Sequence, residues 1–106
     1  MGPALQCLED LYLFLNANYD DIAGAMNNQQ KQNLASLFVT ARSNYWTAIQ
    51  KVLHDDDPQV EALVTQMNSA QGSLQADLQN LKNVGKVIND ITTAVQIGSK
   101  IAASAM

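Results

Sequence analysis

The sequence predicts an all-α fold, and three observations carry that prediction. Apolar residues recur at intervals of three and four along most of the chain, which is the spacing of one face of an α-helix. No segment shows the apolar–polar alternation of a half-buried strand. Two prolines and five glycines in 106 residues leave few turns. We expect one domain, residues 1–106, because chains of this length rarely build a second hydrophobic core.

The first helix is expected over about residues 3–26. Pro3 suits the first helical turn, where its missing N–H is not needed. Leu13 and Phe14 lie off the apolar stripe, which predicts that this helix meets neighbours on more than one side. The stripe itself alternates steps of three and four: Leu5, Leu8, Tyr12, Leu15, Tyr19, Ile22 and Met26.

The second helix is expected over about residues 29–53, after Asn27-Asn28. Trp46 lies beside its apolar stripe, at an edge where the indole N–H can find a polar partner. The stripe consists of Leu34, Phe38, Ala41, Tyr45, Ala48 and Val52, and it is widened by Leu37, Ile49 and Leu53. We expect these side chains to face the core.

The remainder, about residues 57–105, begins with a strong helix start. Asp57 supplies a capping carboxylate and Pro58 a fixed φ at the first helical position. A heptad seam then continues without a slip: Leu63, Met67, Ala70, Leu74, Asp77, Leu81, Val84, Ile88, Ile91, Val95, Gly98, Ala102 and Ala105. This spacing is typical of coiled-coil packing.

Two architectures fit this last segment. One is a helical hairpin plus a long third helix, bent at its glycines. The other is a closed up-down four-helix bundle, with the chain breaking near residue 72 or near 83–85. The unbroken phase of the seam slightly favours the long helix, because a turn normally resets the phase of the apolar pattern. Matched helix lengths favour the bundle.

Composition argues against several classes of function. The net charge is −4, and the six cations are scattered, so no stripe of them could neutralise a run of phosphates. No apolar run reaches the ~18 residues of a membrane span. No signal peptide is visible, since Glu9 and Asp10 precede the apolar segment Leu11–Leu15. The expected location is the cytoplasm, or outside the cell after export without a cleaved signal.

Residues able to support catalysis are scarce. His54 is the only histidine, and a solvated acidic turn explains it and Asp55–Asp57 better than a metal site does. Cys7 is the only cysteine and has no partner for an internal disulfide. Asp77 is the one acid on the seam, where it would fix the register or pair with a lysine. We therefore predict no catalytic, cofactor-binding or metal-ligating residues, and no enzymatic activity.

The sequence instead predicts a helical interaction module of the adaptor, effector-chaperone or immunity type. It would bind a protein partner or a second copy of itself, as a two-fold dimer, through the apolar seam. The expected surface comprises Val84, Ile88, Ile91, Val95, Gly98, Ile101 and Ala102. The alternative is a membrane-interacting or pore-forming protein that acts through its C-terminal amphipathic helix, where Gly98 and Ala102 have the small-x-x-x-small spacing of helix pairs in lipid.

Overall fold

The computed structural model describes residues 2–105, which form four α-helices. They are α1 (Pro3–Gly24), α2 (Asn28–Ile49), α3 (Pro58–Asp77) and α4 (Val84–Ala103). The predicted all-α class is confirmed, in its four-helix form. The helices pack as a ring in the order α1, α2, α4, α3, and α1 also touches α4 across the centre. Within residues 2–105, α2 and α3 do not touch. The segment 50–57 therefore crosses one end of the bundle diagonally.

Local capping chemistry explains where α2 and α3 begin. The Asn27 side chain accepts a hydrogen bond from the Gln30 N–H at 2.9 Å, and the Gln30 side chain accepts one from the Asn27 N–H at 3.0 Å. This reciprocal capping box satisfies two N–H groups that a helix start leaves unpaired. Asp57 caps α3 by accepting from the Gln59 N–H at 2.8 Å, and Pro58 follows it as predicted.

The start of α1 is capped from outside the helix. Its N-cap residue is Gly2, which has no side chain to accept a hydrogen bond. The carboxylate of Asp55, in the segment between α2 and α3, accepts from the Ala4 N–H at 2.8 Å. A Cβ on Gly2 would collide with this carboxylate, so a side chain at position 2 would displace Asp55 from its capping position. The contact places the starts of α1 and α3 at the same end of the bundle.

The slightly favoured prediction, one long helix over about residues 57–105, is wrong. Helix α3 ends at Asp77, and the chain turns through residues 78–83 before α4 begins at Val84. Neither expected glycine makes the break, because Gly72 lies inside α3 and Gly85 is the second residue of α4. The turn is closed by backbone bonds: the N–H of Asn80 donates to the carbonyl of Asp77 at 3.0 Å, and that of Asn83 donates to Asn80 at 3.3 Å.

The core lies where the four helices converge. The sequence predicts nine large side chains in the core, where the helix stripes face each other, and six of them are fully buried: Leu8, Leu11, Leu15, Leu34, Met67 and Leu74. The other three, Phe38, Leu63 and Leu81, are half-buried. At the centre, a Cβ built on Gly98 would lie 3.3 Å from the Cδ2 of Leu8 and 3.4 Å from the Cε of Met67. The absence of a side chain at Gly98 thus allows α4 to approach α1 and α3 closely.

Aromatic rings join α1 to α2 along their shared edge. Tyr12 lies 5.7 Å from Phe38 and 5.9 Å from Tyr45, measured between ring centroids. Tyr19 meets Phe38 edge-on at 5.4 Å. The Tyr45 hydroxyl donates to Glu9 Oε2 at 2.7 Å, and this bond to a carboxylate raises the pKa of Tyr45. These aromatic rings lie at the rim of the core, which is why Phe38 is only half-buried.

Candidate interaction surface

Helix α2 exposes large apolar side chains along its outer face. Val39 and Ile49 are each 50% exposed, and Trp46, between them, is 56% exposed. We call these three residues the α2 row. At 1.5 Å per residue it is about 15 Å long. Just beyond the helix, Val52 is 61% exposed, so the apolar surface continues past the end of α2.

The inner face of α2 shows the opposite pattern. Its three fully buried residues are Leu34, Ala41 and Ala48, at seven-residue spacing. Two of the three are alanines, and the larger core-facing side chains Leu37, Phe38 and Tyr45 are only partly buried. The helix therefore buries alanine while it exposes tryptophan, isoleucine and valine. Burial of apolar area favours the reverse arrangement.

A cation lies within the α2 row. The Arg42 guanidinium carbon is 5.7 Å from the centroid of the Trp46 ring and 5.9 Å from that of Phe38. At these distances the positive guanidinium is attracted to the faces of both aromatic rings. The row borders a shallow depression of about 440 Å³ lined by Val39, Arg42, Ser43, Trp46, Thr47, Gln50 and Lys51. The surface thus offers apolar area, hydroxyl and amide groups, and positive charge together.

Charge is distributed unevenly around this surface. Residues 22–54, which contain α2, carry Lys31, Arg42 and Lys51 and no Asp or Glu. The rest of the chain carries three cations and all ten acids, for a net charge of −7. Within residues 2–105, neither Arg42 nor Lys51 forms a salt bridge. The segment that contains α2 is therefore positively charged on an acidic chain, and no ion pair within residues 2–105 neutralises Arg42 or Lys51. One acid of α1, Asp20, lies beside the α2 row, where it lines a depression with Val39.

The residues predicted to form the interaction surface lie elsewhere, on α4. Five of them are buried against the other helices of the same chain: Ile91, Val95, Gly98, Ile101 and Ala102. Val84 and Ile88 are half-buried and pack at the edge of the core. The apolar seam is thus covered internally, and a partner could reach most of it only if the bundle opened. The spacing of Gly98 and Ala102 serves packing within the chain.

The acid on the seam forms a small charged cluster at the turn between α3 and α4. Asp77 is 6% exposed, and its Oδ1 accepts from the Lys86 Nζ at 2.9 Å. Lys86 also donates to Asp90 at 2.7 Å. Burial and a hydrogen bond with Asp90 raise the pKa of Asp77, whereas hydrogen bonds with Asp77 and Lys86 lower that of Asp90. Asp77 thus has the lysine partner expected for it.

Other reactive side chains are dispersed. Within residues 2–105, no three His, Cys, Asp or Glu side chains cluster as a metal site would require. His54 is half-buried, and its Nε2 is buried with no hydrogen-bond partner among residues 2–105. Cys7 is 3% exposed, and burial raises the pKa of its thiol to about 11. A protonated, enclosed thiol is a poor nucleophile.

Sequence reasoning assigned Ile49 and Val52 to the buried stripe of α2 and did not single out Val39. A signal was nevertheless present, because Val39, Arg42, Trp46, Ile49 and Leu53 follow steps of three, four, three and four. This second stripe competes with the one through Leu34, Ala41 and Ala48. The predicted core stripe through Leu34, Ala41 and Ala48 is the one that packs, and its extension to Ile49 and Val52 is wrong because both are exposed.

Comparison with known proteins adds no further constraint, since no family model, curated protein or solved structure matches this chain. Across residues 2–105, none of the helices combines the length and the apolar character needed to cross a membrane.

Proposed function

We propose that this chain is a non-enzymatic interaction module that binds a protein partner through the exposed face of α2. The supporting observation is the inverted pattern of that helix, which buries Ala41 and Ala48 and exposes Val39, Trp46 and Ile49. Trp and Arg are the residue types most enriched at binding hot spots, and Trp46 and Arg42 lie together at the centre of this face.

The size of the surface suits a reversible contact. Complete burial of a large apolar side chain is worth about 1.5–3 kcal/mol, and each residue of the α2 row is already about half-buried. Burying the rest contributes about 1 kcal/mol per residue before association costs. A row about 15 Å long also offers less area to bury than a standard stable interface. We therefore expect micromolar rather than nanomolar affinity.

Site-specific crosslinking tests this proposal. A photoreactive amino acid replaces Ile49 in the α2 row, and in a matched variant it replaces Gln75 on exposed α3 surface. In cells that naturally make the protein, we expect a discrete adduct from position 49 and none from position 75. Adding Trp46→Asp to the first variant should abolish the adduct. Equal adducts from both positions would refute α2 as the binding face.

The alternative function is membrane binding through the C-terminal helix α4, and it requires a change in the fold. The apolar residues of α4 that would enter a bilayer, such as Ile91 and Ile101, are fully buried in the bundle. Membrane binding by that route requires α4 to leave its neighbours first. The exposed face of α2 needs no such rearrangement, which is why we favour it.

A further inference from the structure

We infer that the partner presents an amphipathic α-helix whose apolar seam is flanked by aspartate and glutamate. This inference rests on the proposed function and specifies the chemistry of the partner. The α2 row is one helix wide, and Val39, Trp46 and Ile49 follow the heptad spacing with which a helix packs against a neighbouring helix. Many proteins bind an amphipathic partner helix by its apolar face in this way.

Charge complementarity selects the acidic partner. Arg42 lies within the row, and Lys51 lines the same depression at its end. Residues 22–54 contain no acid, and neither of these two cations has an ion-pair partner within residues 2–105. Carboxylates flanking the apolar seam of a partner helix would supply those partners, and they would steer its approach away from the acidic remainder of the chain.

The same charges disfavour two other occupants. A two-fold contact of the α2 row with itself would bring two copies of a segment carrying three cations and no acid against each other. An anionic membrane surface is usually recognised by a cluster of about four to eight basic residues, whereas residues 22–54 carry three, Lys31, Arg42 and Lys51. The hydroxyls and amide of Ser43, Thr47 and Gln50 along the depression also suit a protein surface better than a lipid one.

The test uses two synthetic helical peptides of about three heptads, with leucine at both seam positions. Glutamate flanks the seam in one peptide and lysine in the other, so each repels its own copies and the two match in apolar area. Trp46, the only tryptophan of the chain, reports binding through its fluorescence. We expect the glutamate peptide to shift Trp46 emission to the blue, saturably, with affinity at least about tenfold above that of the lysine peptide.

Charge reversal provides the matched control. Arg42→Glu with Lys51→Glu should reverse the preference, so that the lysine peptide binds more tightly; far-UV circular dichroism shows whether that variant remains folded. Raising the salt concentration should weaken wild-type binding to the glutamate peptide. Equal binding of both peptides by the wild type would overturn the acidic-partner inference and leave the proposed function standing.

Three other results would overturn the inference in different ways. If neither peptide binds, the α2 row does not dock a helix, and the crosslinking experiment decides the proposed function separately. If Trp46 emission responds to vesicles of phosphatidylserine and phosphatidylcholine but not to the peptides, the face binds lipid. If the shift appears on concentrating the protein alone, while light scattering shows the mass doubling, the occupant is a second copy.

Discussion

Asp55→Ala should destabilise the fold, although Asp55 belongs to no helix. The wild-type carboxylate accepts a hydrogen bond from the Ala4 N–H at 2.8 Å and lies at the positive end of the α1 dipole. Helix α1 has no capping side chain of its own, because its N-cap is Gly2. Within residues 2–105, the substitution removes the only side-chain cap at the start of α1, a helix that contacts all three others.

The magnitude follows from these contacts. Loss of an N-terminal cap costs about 0.5–2 kcal/mol, and loss of a favourable charge near a helix start costs about 0.3–1 kcal/mol. We expect a net loss of about 1–2 kcal/mol. For a domain of this size that lowers the melting temperature by about 5–15 °C in thermal unfolding followed by circular dichroism.

A matched control lies next to Asp55 in the chain. Asp56 is exposed and makes no side-chain hydrogen bond within residues 2–105, so Asp56→Ala changes the same net charge without removing a cap. The free energy of unfolding of Asp56→Ala should lie within about 0.5 kcal/mol of that of the wild type. Asp55→Asn, which keeps an oxygen acceptor, should recover part of the loss. If Asp55→Ala and Asp56→Ala melt at the same temperature, the capping argument is wrong.

Three further predictions concern the core, the charged cluster and the thiol. Ile91→Ala should cost about 2–5 kcal/mol in denaturant unfolding, because Ile91 is fully buried, whereas exposed Ile49→Ala should cost much less; similar losses would contradict the burial pattern. The pKa of Asp77 is raised above its usual 3.8, so the native state binds the Asp77 proton more tightly than the unfolded state does. The stability that Asp77 contributes is therefore lost as pH rises from 3.8 through its native pKa. Asp77→Asn should therefore gain stability relative to the wild type over that pH range, and a constant difference would refute the assignment. Cys7 should react with a thiol reagent at pH 8 only as fast as the protein unfolds; immediate labelling of the native protein would show that the thiol is accessible.

The helices and their starts were predictable because their signals are local. The Asp57-Pro58 start of α3 and the step through Asn27 into α2 depend on capping groups close in sequence to the N–H groups they satisfy. The ends were less accurate, and α2 stops at Ile49 rather than near residue 53. The cap of α1 was not foreseen because Asp55 lies 51 residues from Ala4. Contacts at that separation depend on how the helices pack.

The turn between α3 and α4 was predicted only as one of two alternatives, because its sequence signals are weak. Asn83 precedes α4 without a side-chain capping bond, so the start of that helix lacks the usual local signal. The apolar phase also survives the turn, because Leu78, Leu81 and Val84 all pack against the core while the chain reverses. A continuous seam therefore does not require a continuous helix. Here it marks two consecutive antiparallel helices that line the same core.

The distribution of side chains on α2 connects the fold to the proposed function. If α2 contributed only to stability, its largest apolar residues would be expected on the buried face, where each adds most. Two of its three fully buried residues are instead Ala41 and Ala48, and the well-buried residues of α1 and α4 supply the bulk of the core. The fold can therefore tolerate apolar residues on the outer side of α2 that contribute little to it. A protein partner that covers Trp46 gives those residues a role that folding does not.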